Sequence, residues 1–238
     1  VSAAHLAIGI LVVAVGASVQ ATIGFGASLF AVPLLLIIDP RFVPGPAIVA
    51  SVALNVLMVV GHRAHTDGVG VGWMIAGLLP GAAVAGFALS AIAADDLAIL
   101  SGSAILVAVA ISVAGWSPTK RPATLLGAGV VSGFMGSTAA VSGPPLALLY
   151  QHEDGATIRG TLPPTFLVGS AVALGTLAAA GKLPGSSWWI GAALAPGGAV
   201  GYVVAGRVAP KVEGPWLRVA VLVVSGLSAA AAIVRAIA

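Results

Sequence analysis

Two clusters of small residues in this sequence carry polar side chains. One runs Gln20-Ala21-Thr22-Ile23-Gly24-Phe25-Gly26-Ala27-Ser28, the other from Ser132-Gly133-Phe134-Met135-Gly136 through Ser137, Thr138 and Ser142 to Gly143. Hydroxyls of Thr22, Ser28, Ser137, Thr138 and Ser142 can donate hydrogen bonds to oxyanion oxygens. Glycines let the backbone turn and leave N–H groups free. A helix that starts just after such a turn points the positive end of its dipole at the turn. Two such starts facing one cavity make an anion site without any cationic side chain. The plainer reading is that small residues merely allow close helix packing. That reading is favoured for any single Ser or Thr, and the site is favoured for two clusters at matched places.

The elements that hold these clusters must be membrane helices. Of 238 residues, 59% are hydrophobic and 7% charged, and mean hydropathy is +1.13. Soluble domains carry about 25% charged residues, so this chain lacks the polar surface to cover itself in water. Ala, Val and Gly abound with no sustained period-2 alternation, which indicates helices rather than an outer-membrane barrel. A net charge of +3 would suggest nucleic acid in a soluble protein. Here no basic cluster exceeds Lys120-Arg121, so the excess is loop charge that orients the chain, and no nucleic-acid partner is expected. Zero cysteines excludes disulfides and thiolate chemistry. No basic residue precedes the first apolar stretch, so that stretch is expected to be a span rather than a cleaved signal.

Eight nearly uncharged runs can be counted, at 1–38, 42–61, 68–94, 97–119, 122–151, 160–181, 183–206 and 219–234. A crossing needs about 20 residues, and six runs fit one helix each. Run 1–38 would make a helix of roughly 57 Å, about twice the bilayer core, and it contains Gly24, Gly26 and Pro33. Run 122–151 contains Gly133, Gly136, Gly143, Pro144 and Pro145. Each is expected to be a helix, a break at membrane depth, and a shorter helix.

The chain also repeats. Gly24 precedes Pro33-Leu34 by nine residues, as Gly136 precedes Pro145-Leu146; Trp73 precedes Pro80-Gly81 by seven, as Trp189 precedes Pro196-Gly197. The offsets are 112 and 116 residues, which divides the chain into repeats 1–119 and 120–238. Internal duplication is a transporter signature. If the broken runs turn back as hairpins, Arg41, Lys182 and Arg235 fall on one side. Arg63, Lys120, Arg121, Arg159, Arg207, Lys211 and Arg218 then fall on the other. Fully crossing runs would divide them evenly. The positive-inside rule requires an asymmetry, so the expected fold is an all-α polytopic membrane protein of two inverted repeats. Each is a re-entrant helical hairpin plus three transmembrane helices, with both termini outside.

The binding set this predicts is Gln20, Thr22, Gly24, Phe25, Gly26, Ala27, Ser28, Asn55, Gly136, Ser137, Thr138, Ser142 and Gly143. Asn55 is the most costly polar residue to bury in its span, while Ser51, Thr165 and Ser170 lie in comparable helices. His62-Arg63-Ala64-His65 has one acid nearby, Asp67, and no third ligand, so a solvated loop is favoured over a metal site. His152-Glu153-Asp154 likewise reads as a polar loop. Trp73, Trp188 and Trp189 begin their helices and read as interfacial anchors. Arg41 and Arg159 follow the two hairpins and read equally as residues that steer anions to each mouth or as simply solvated loop residues. No nucleophile–base pairing, His-Glu-x-x-His or P-loop is present, so neither enzyme chemistry nor a cofactor is expected. The lack of buried ionisable residues argues against strong proton coupling.

The stretch Gly24-Phe25-Gly26-Ala27-Ser28-Leu29-Phe30-Ala31-Val32-Pro33-Leu34-Leu35 resembles the signature that opens the TauE/SafE family of sulfite and sulfonate exporters. The segment from Gly133-Phe134-Met135-Gly136 to Gly143-Pro144-Pro145-Leu146 resembles that family's repeat of it. Ala27 and Ser28 stand where the family usually carries more glycine, which bears on substrate more than on fold. The resemblance implies export of a small anion, such as sulfite, sulfoacetate or a related organosulfonate, from the cytoplasm of a bacterium across its inner membrane. Two other readings stay open: a carrier or channel for another small solute, or a non-transport membrane subunit of a larger complex. Whether the chain forms a homo-oligomer also stays open.

Overall fold

The computed structural model describes residues 1–91, 97–114, 118–212, 222–224, 226–231 and 234. Arg218, Arg235 and the side chain of Lys211 lie outside the described residues. The elements in order are α1 (Ala3–Ile23), α2 (Ala27–Ile38), α3 (Gly45–His62), α4 (Gly68–Ala91), α5 (Leu97–Val113), α6 (Pro122–Ala139), α7 (Gly143–Tyr150), α8 (Gly155–Ala179) and α9 (Ser186–Val212). There is no strand among the described residues. Five segments are long and apolar enough to cross a bilayer: Ala3–Ile23, Gly45–His65, Gly68–Ala91, Gly155–Ala179 and Ser186–Arg207. Large apolar side chains such as Leu11, Val69 and Phe87 point outward, while Gln20, Asn55, Ser132 and Thr161 are buried. That inside-out distribution suits lipid as the outer solvent. The chain is an all-helical, multi-pass membrane protein.

Both long runs are broken. The first breaks at Gly24 and Gly26, whose φ angles of 93° and 103° lie in the left-handed region that glycine adopts without strain. The second breaks later than the glycines suggest. Gly133 and Gly136 stay inside α6, and the turn comes at Ala140 with φ 58°. Glycine permits a break without compelling one. At Gly133 the missing Cβ instead lets the backbone of Leu78 on α4 come close. Pro144 and Pro145 then occupy the first turn of α7, where a missing N–H costs nothing.

Another boundary also moves. The span expected over 160–181 starts at Gly155, because Asp154 caps it by accepting from the N–H groups of Ala156 and Thr157, each at 2.9 Å. Arg159 is therefore the fifth residue of α8, not in a loop.

The directions of the helices follow from their contacts. α2 folds back along α1: Gly16 faces Ala27 and Ala31, and His5 Nδ1 lies 3.4 Å from Asp39 Oδ2. α7 folds back along α6, so Lys120 lies 2.5 Å from Glu153 and 4.9 Å from the ring of Tyr150. The two antiparallel hairpins have their open ends at opposite ends of the molecule. α3 runs from the Asp39 end to Asp67, and α8 runs the other way, from contacts with His62 and His65 at Gly160 to Leu183 beside Gly45. Of the basic residues, Arg41 and Lys182 sit toward the Asp39 end; Arg63, Lys120, Arg121 and Arg159 sit toward the Asp67 end.

The most extensive pairings are exchanged between the two parts of the chain. α4 packs along α6 and α9 along α1. Gly81 meets the backbone of Val130, and Gly201 meets that of Ala14. In each pair the lack of a side chain brings two backbones together, which gains dispersion contact where lipid removes the hydrophobic drive.

Candidate functional site

The two breaks touch. A Cβ placed on Gly143 would lie 3.8 Å from Phe25 Cβ, 3.8 Å from the Phe166 ring and 4.0 Å from the Gly26 nitrogen. Phe166 is near the middle of α8, whereas Gly24 of the first tip lies against Ile158, close to the start of that helix. Beside the two tips is a partly open cavity. Gln20 of α1, Gly26, Ala27 and Ser28 of the first tip, Asn55 of α3, and Gly136, Ser142 and Gly143 of the second tip line it. Ser51 and Ser170, from α3 and α8, complete its polar surface. All the charged residues stay off the lining among the described residues.

Five of the residues that the sequence points to sit behind this surface. Thr22 Oγ1 donates to Ser18 O at 2.8 Å and Thr138 Oγ1 to Phe134 O at 2.9 Å, so both hydroxyls serve their own helices. Gly24 packs on Ile158 of α8, and Phe25 packs in a cluster with Met74, Tyr150, Leu162 and Phe166. Ser137 is buried, with its hydroxyl lacking a partner among the described residues. Ser51 and Ser170, absent from the expected set, do line the cavity. Their signal in the sequence was only a hydroxyl inside an apolar span, and which hydroxyl faces a cavity depends on helix rotation.

The local electrostatics favour negative charge at the tips. Gly26 is the N-cap of α2, and no side chain caps the N–H groups that follow. Ser142 is the N-cap of α7, and its hydroxyl makes no capping bond either. The two starts are unequal, because Pro144 and Pro145 have no N–H to offer. α2 therefore supplies most of the backbone donors. The opposing C-terminal carbonyls are quenched from outside each hairpin. Arg159 Nη1 donates to Thr22 O at 2.9 Å, and Ser101 Oγ donates to Thr138 O at 2.9 Å. Gln20 Nε2 donates to Asn55 Oδ1 at 2.9 Å, which leaves the NH₂ of Asn55 without a protein acceptor in that pair.

The cavity extends one way. Its lining runs along α3 from Asn55 back to Ala47 and along α8 from Phe166 on to Ala173, both toward the Asp39 end. In the other direction the interior holds the fully buried side chains of Met58, Met74, Leu162 and Tyr150. Arg41, which could have steered anions at that mouth, is engaged by Asp39 through Nε and Nη2, at 2.9 and 2.7 Å. The Arg41 guanidinium holds the Asp39 carboxyl well below the usual carboxylate range. No group of three His, Asp or Glu side chains able to hold a metal occurs among the described residues.

The profile of the family described as "Sulfite exporter TauE/SafE" matches residues 8–232. Neither the curated proteins nor the solved structures contain a match. The match covers nearly the whole chain, both hairpins and all of the cavity lining. Its members are membrane transporters rather than enzymes. With its apolar crossing helices and two broken hairpins, the chain belongs to the TauE/SafE sulfite exporter family.

Proposed function

We propose that this protein exports sulfite, sulfoacetate or a related organosulfonate across a bacterial cytoplasmic membrane, through the cavity where the two helix-break tips meet. The single observation that carries the reading is the contact of Gly143 with Phe25 and Gly26 beside a cavity bearing Ser28, Ser142, Gln20 and Asn55. Two helix starts and uncharged donors can hold an oxyanion without a lysine or arginine whose grip would slow release. Support for inverted repeats 1–119 and 120–238 comes from the opposite directions of the two hairpins and the exchanged α4–α6 and α9–α1 pairs. The basic residues clustered toward the Asp67 end support placing that end in the cytoplasm, with both termini outside.

An anion leaving a negative-inside cell gains about 2.3 kcal/mol per charge per 100 mV, so export can proceed without a coupling ion. The test is sulfite flux in proteoliposomes, at zero and at imposed potential, against empty liposomes. Saturable flux that responds to potential is the expected result. Absence of flux from folded protein would transfer the reading to another solute or to a subunit role. Ser28→Trp and Ser142→Trp should abolish flux while the protein stays folded; unchanged flux would remove the tips from the path.

A further inference from the structure

Two hydroxyls in the cavity cannot act as donors in the arrangement they adopt. Ser51 Oγ donates to Ile48 O at 2.7 Å, Ser170 Oγ donates to Phe166 O at 2.9 Å, and the two oxygens are 3.4 Å apart. A serine hydroxyl has one proton and two acceptor lone pairs. If one hydroxyl donates to its neighbour instead of its carbonyl, both protons are still spent inside the protein. What the pair turns toward the cavity is lone pairs only. Ser170 is 8% exposed and Ser51 is half-buried, so bulk water softens that preference only in part.

The position of the pair gives it meaning. Ser51 lies four residues before Asn55 on α3, and Ser170 four after Phe166 on α8. Four residues rise about 6 Å. The cavity thus has a donor level at the tips, made by Ser28, Ser142, the Asn55 amide and the start of α2. An acceptor level sits one helical turn nearer the Asp39 end. A bare oxyanion offers only acceptors and matches the first level alone. An anion with an O–H or N–H about one turn from its charged group matches both.

We propose that Ser51 and Ser170 form a specificity-determining pair that reads a hydrogen-bond donor on the organic end of a substituted sulfonate. The proposal rests on the transport reading above and narrows its substrate class to hydroxy- or amino-substituted alkanesulfonates. The penalty for a ligand lacking the donor is two acceptors, one buried and one half-buried, left facing apolar carbon, the kind of mismatch by which binding sites reject analogues.

The experiment compares ethanesulfonate with 2-hydroxyethanesulfonate, which differ by one hydroxyl, as competitors of sulfite flux and as ligands in a thermal-shift titration. The wild-type protein should take the hydroxylated compound at a concentration about tenfold lower. In the Ser51→Ala/Ser170→Ala double variant that preference should fall to within about twofold, as the hydroxylated compound loses its acceptors and ethanesulfonate is relieved of the mismatch. Ser51→Thr keeps the hydroxyl and should keep the preference, which separates a lost acceptor from a damaged fold. Sulfite flux with equal competition by both sulfonates would overturn the proposal and leave the transport reading standing. So would a preference that survives the double alanine variant, or a sodium requirement without discrimination, which would make the pair a cation site. Binding of neither sulfonate, together with absent sulfite flux, would overturn both.

Discussion

Tyr150 Oη donates a 2.9 Å hydrogen bond to Asp67 Oδ2, tying the last residue of α7 to the loop between α3 and α4. Lys120 lies 3.5 Å from the same carboxylate and 2.5 Å from Glu153, and Thr161 Oγ1 accepts from the Asp67 N–H at 3.0 Å. One acid thereby joins four segments at the closed end of the cavity. At the other end His5 and Arg41 both reach Asp39, contacts within the first hairpin and the turn that follows it.

Removing the phenol hydroxyl should loosen that end. Tyr150→Phe is expected to lower stability by about 1–2 kcal/mol, because a carboxylate loses one donor and keeps the others. A melting curve in detergent measures it. If the tie keeps the cavity closed toward the Asp67 end, the variant should also raise the reactivity of a reporter cysteine at Ser142 with a thiol reagent applied from that side. The sequence has no cysteine of its own to interfere.

Acid should act through the same carboxylate. The Gly70 N–H is the main cause holding the Asp67 carboxyl below its ordinary 3.8, with Tyr150 and Lys120 adding to it and burial opposing. A depressed folded-state value means the stabilisation is fully present above about 3.8 and disappears as pH falls through the lower, folded value. Stability should therefore stay flat in this respect down to about pH 4 and decline below it. Asp67→Asn should be less stable than wild type at neutral pH and show a shallower acid decline. Melting curves across that range decide it, and an unchanged acid limb would refute the assignment.

The two breaks should answer oppositely to glycine–alanine exchange. Gly24→Ala puts a Cβ at φ 93°, 2.5 Å from Ile158 Cγ2, and should cost at least about 1–2 kcal/mol for the left-handed backbone alone. Ala140→Gly relieves the same strain at φ 58° and should be neutral or stabilising by up to about 1 kcal/mol. Loss of stability in both variants would mean that the Ala140 methyl contributes more packing than its backbone costs.

The buried amide pair should behave as a unit. Gln20→Leu or Asn55→Leu alone leaves a buried amide without its partner and should cost about 1–3 kcal/mol. The double variant should recover part of that loss in a double-mutant cycle. Sulfite flux should fall in all three if the Asn55 NH₂ faces the substrate, and additive stability losses would show that the 2.9 Å bond carries no coupling.

Arg159 should be needed for its fork rather than its charge. Arg159→Lys keeps the charge but loses the planar donor that reaches Thr22 O. Flux should fall several-fold, with the loss mainly in maximal rate if the residue only positions the first tip. A change confined to the half-saturating concentration would instead assign it to anion capture.

Composition alone settled that the chain lives in lipid, because 7% charged residues cannot cover a soluble surface. The excess length of runs 1–38 and 122–151 required a break in each, and Gly24 and Gly26 located the first, since only glycine adopts those φ values freely. The position of the second break was decided by tertiary contact. Gly133 is used for the close approach of Leu78, so the chain turns at Ala140, a residue with no turn signal of its own. The binding residues divide for the same reason. A spacing in sequence can place Ser28, Asn55 and Ser142 near a break. Whether Thr22, Thr138, Ser51 or Ser170 faces a cavity or its own helix depends on the rotation of each helix against its neighbours. That rotation is set by which glycine faces meet across α1–α9 and α4–α6, a relationship between residues far apart in the chain that only the packed structure holds.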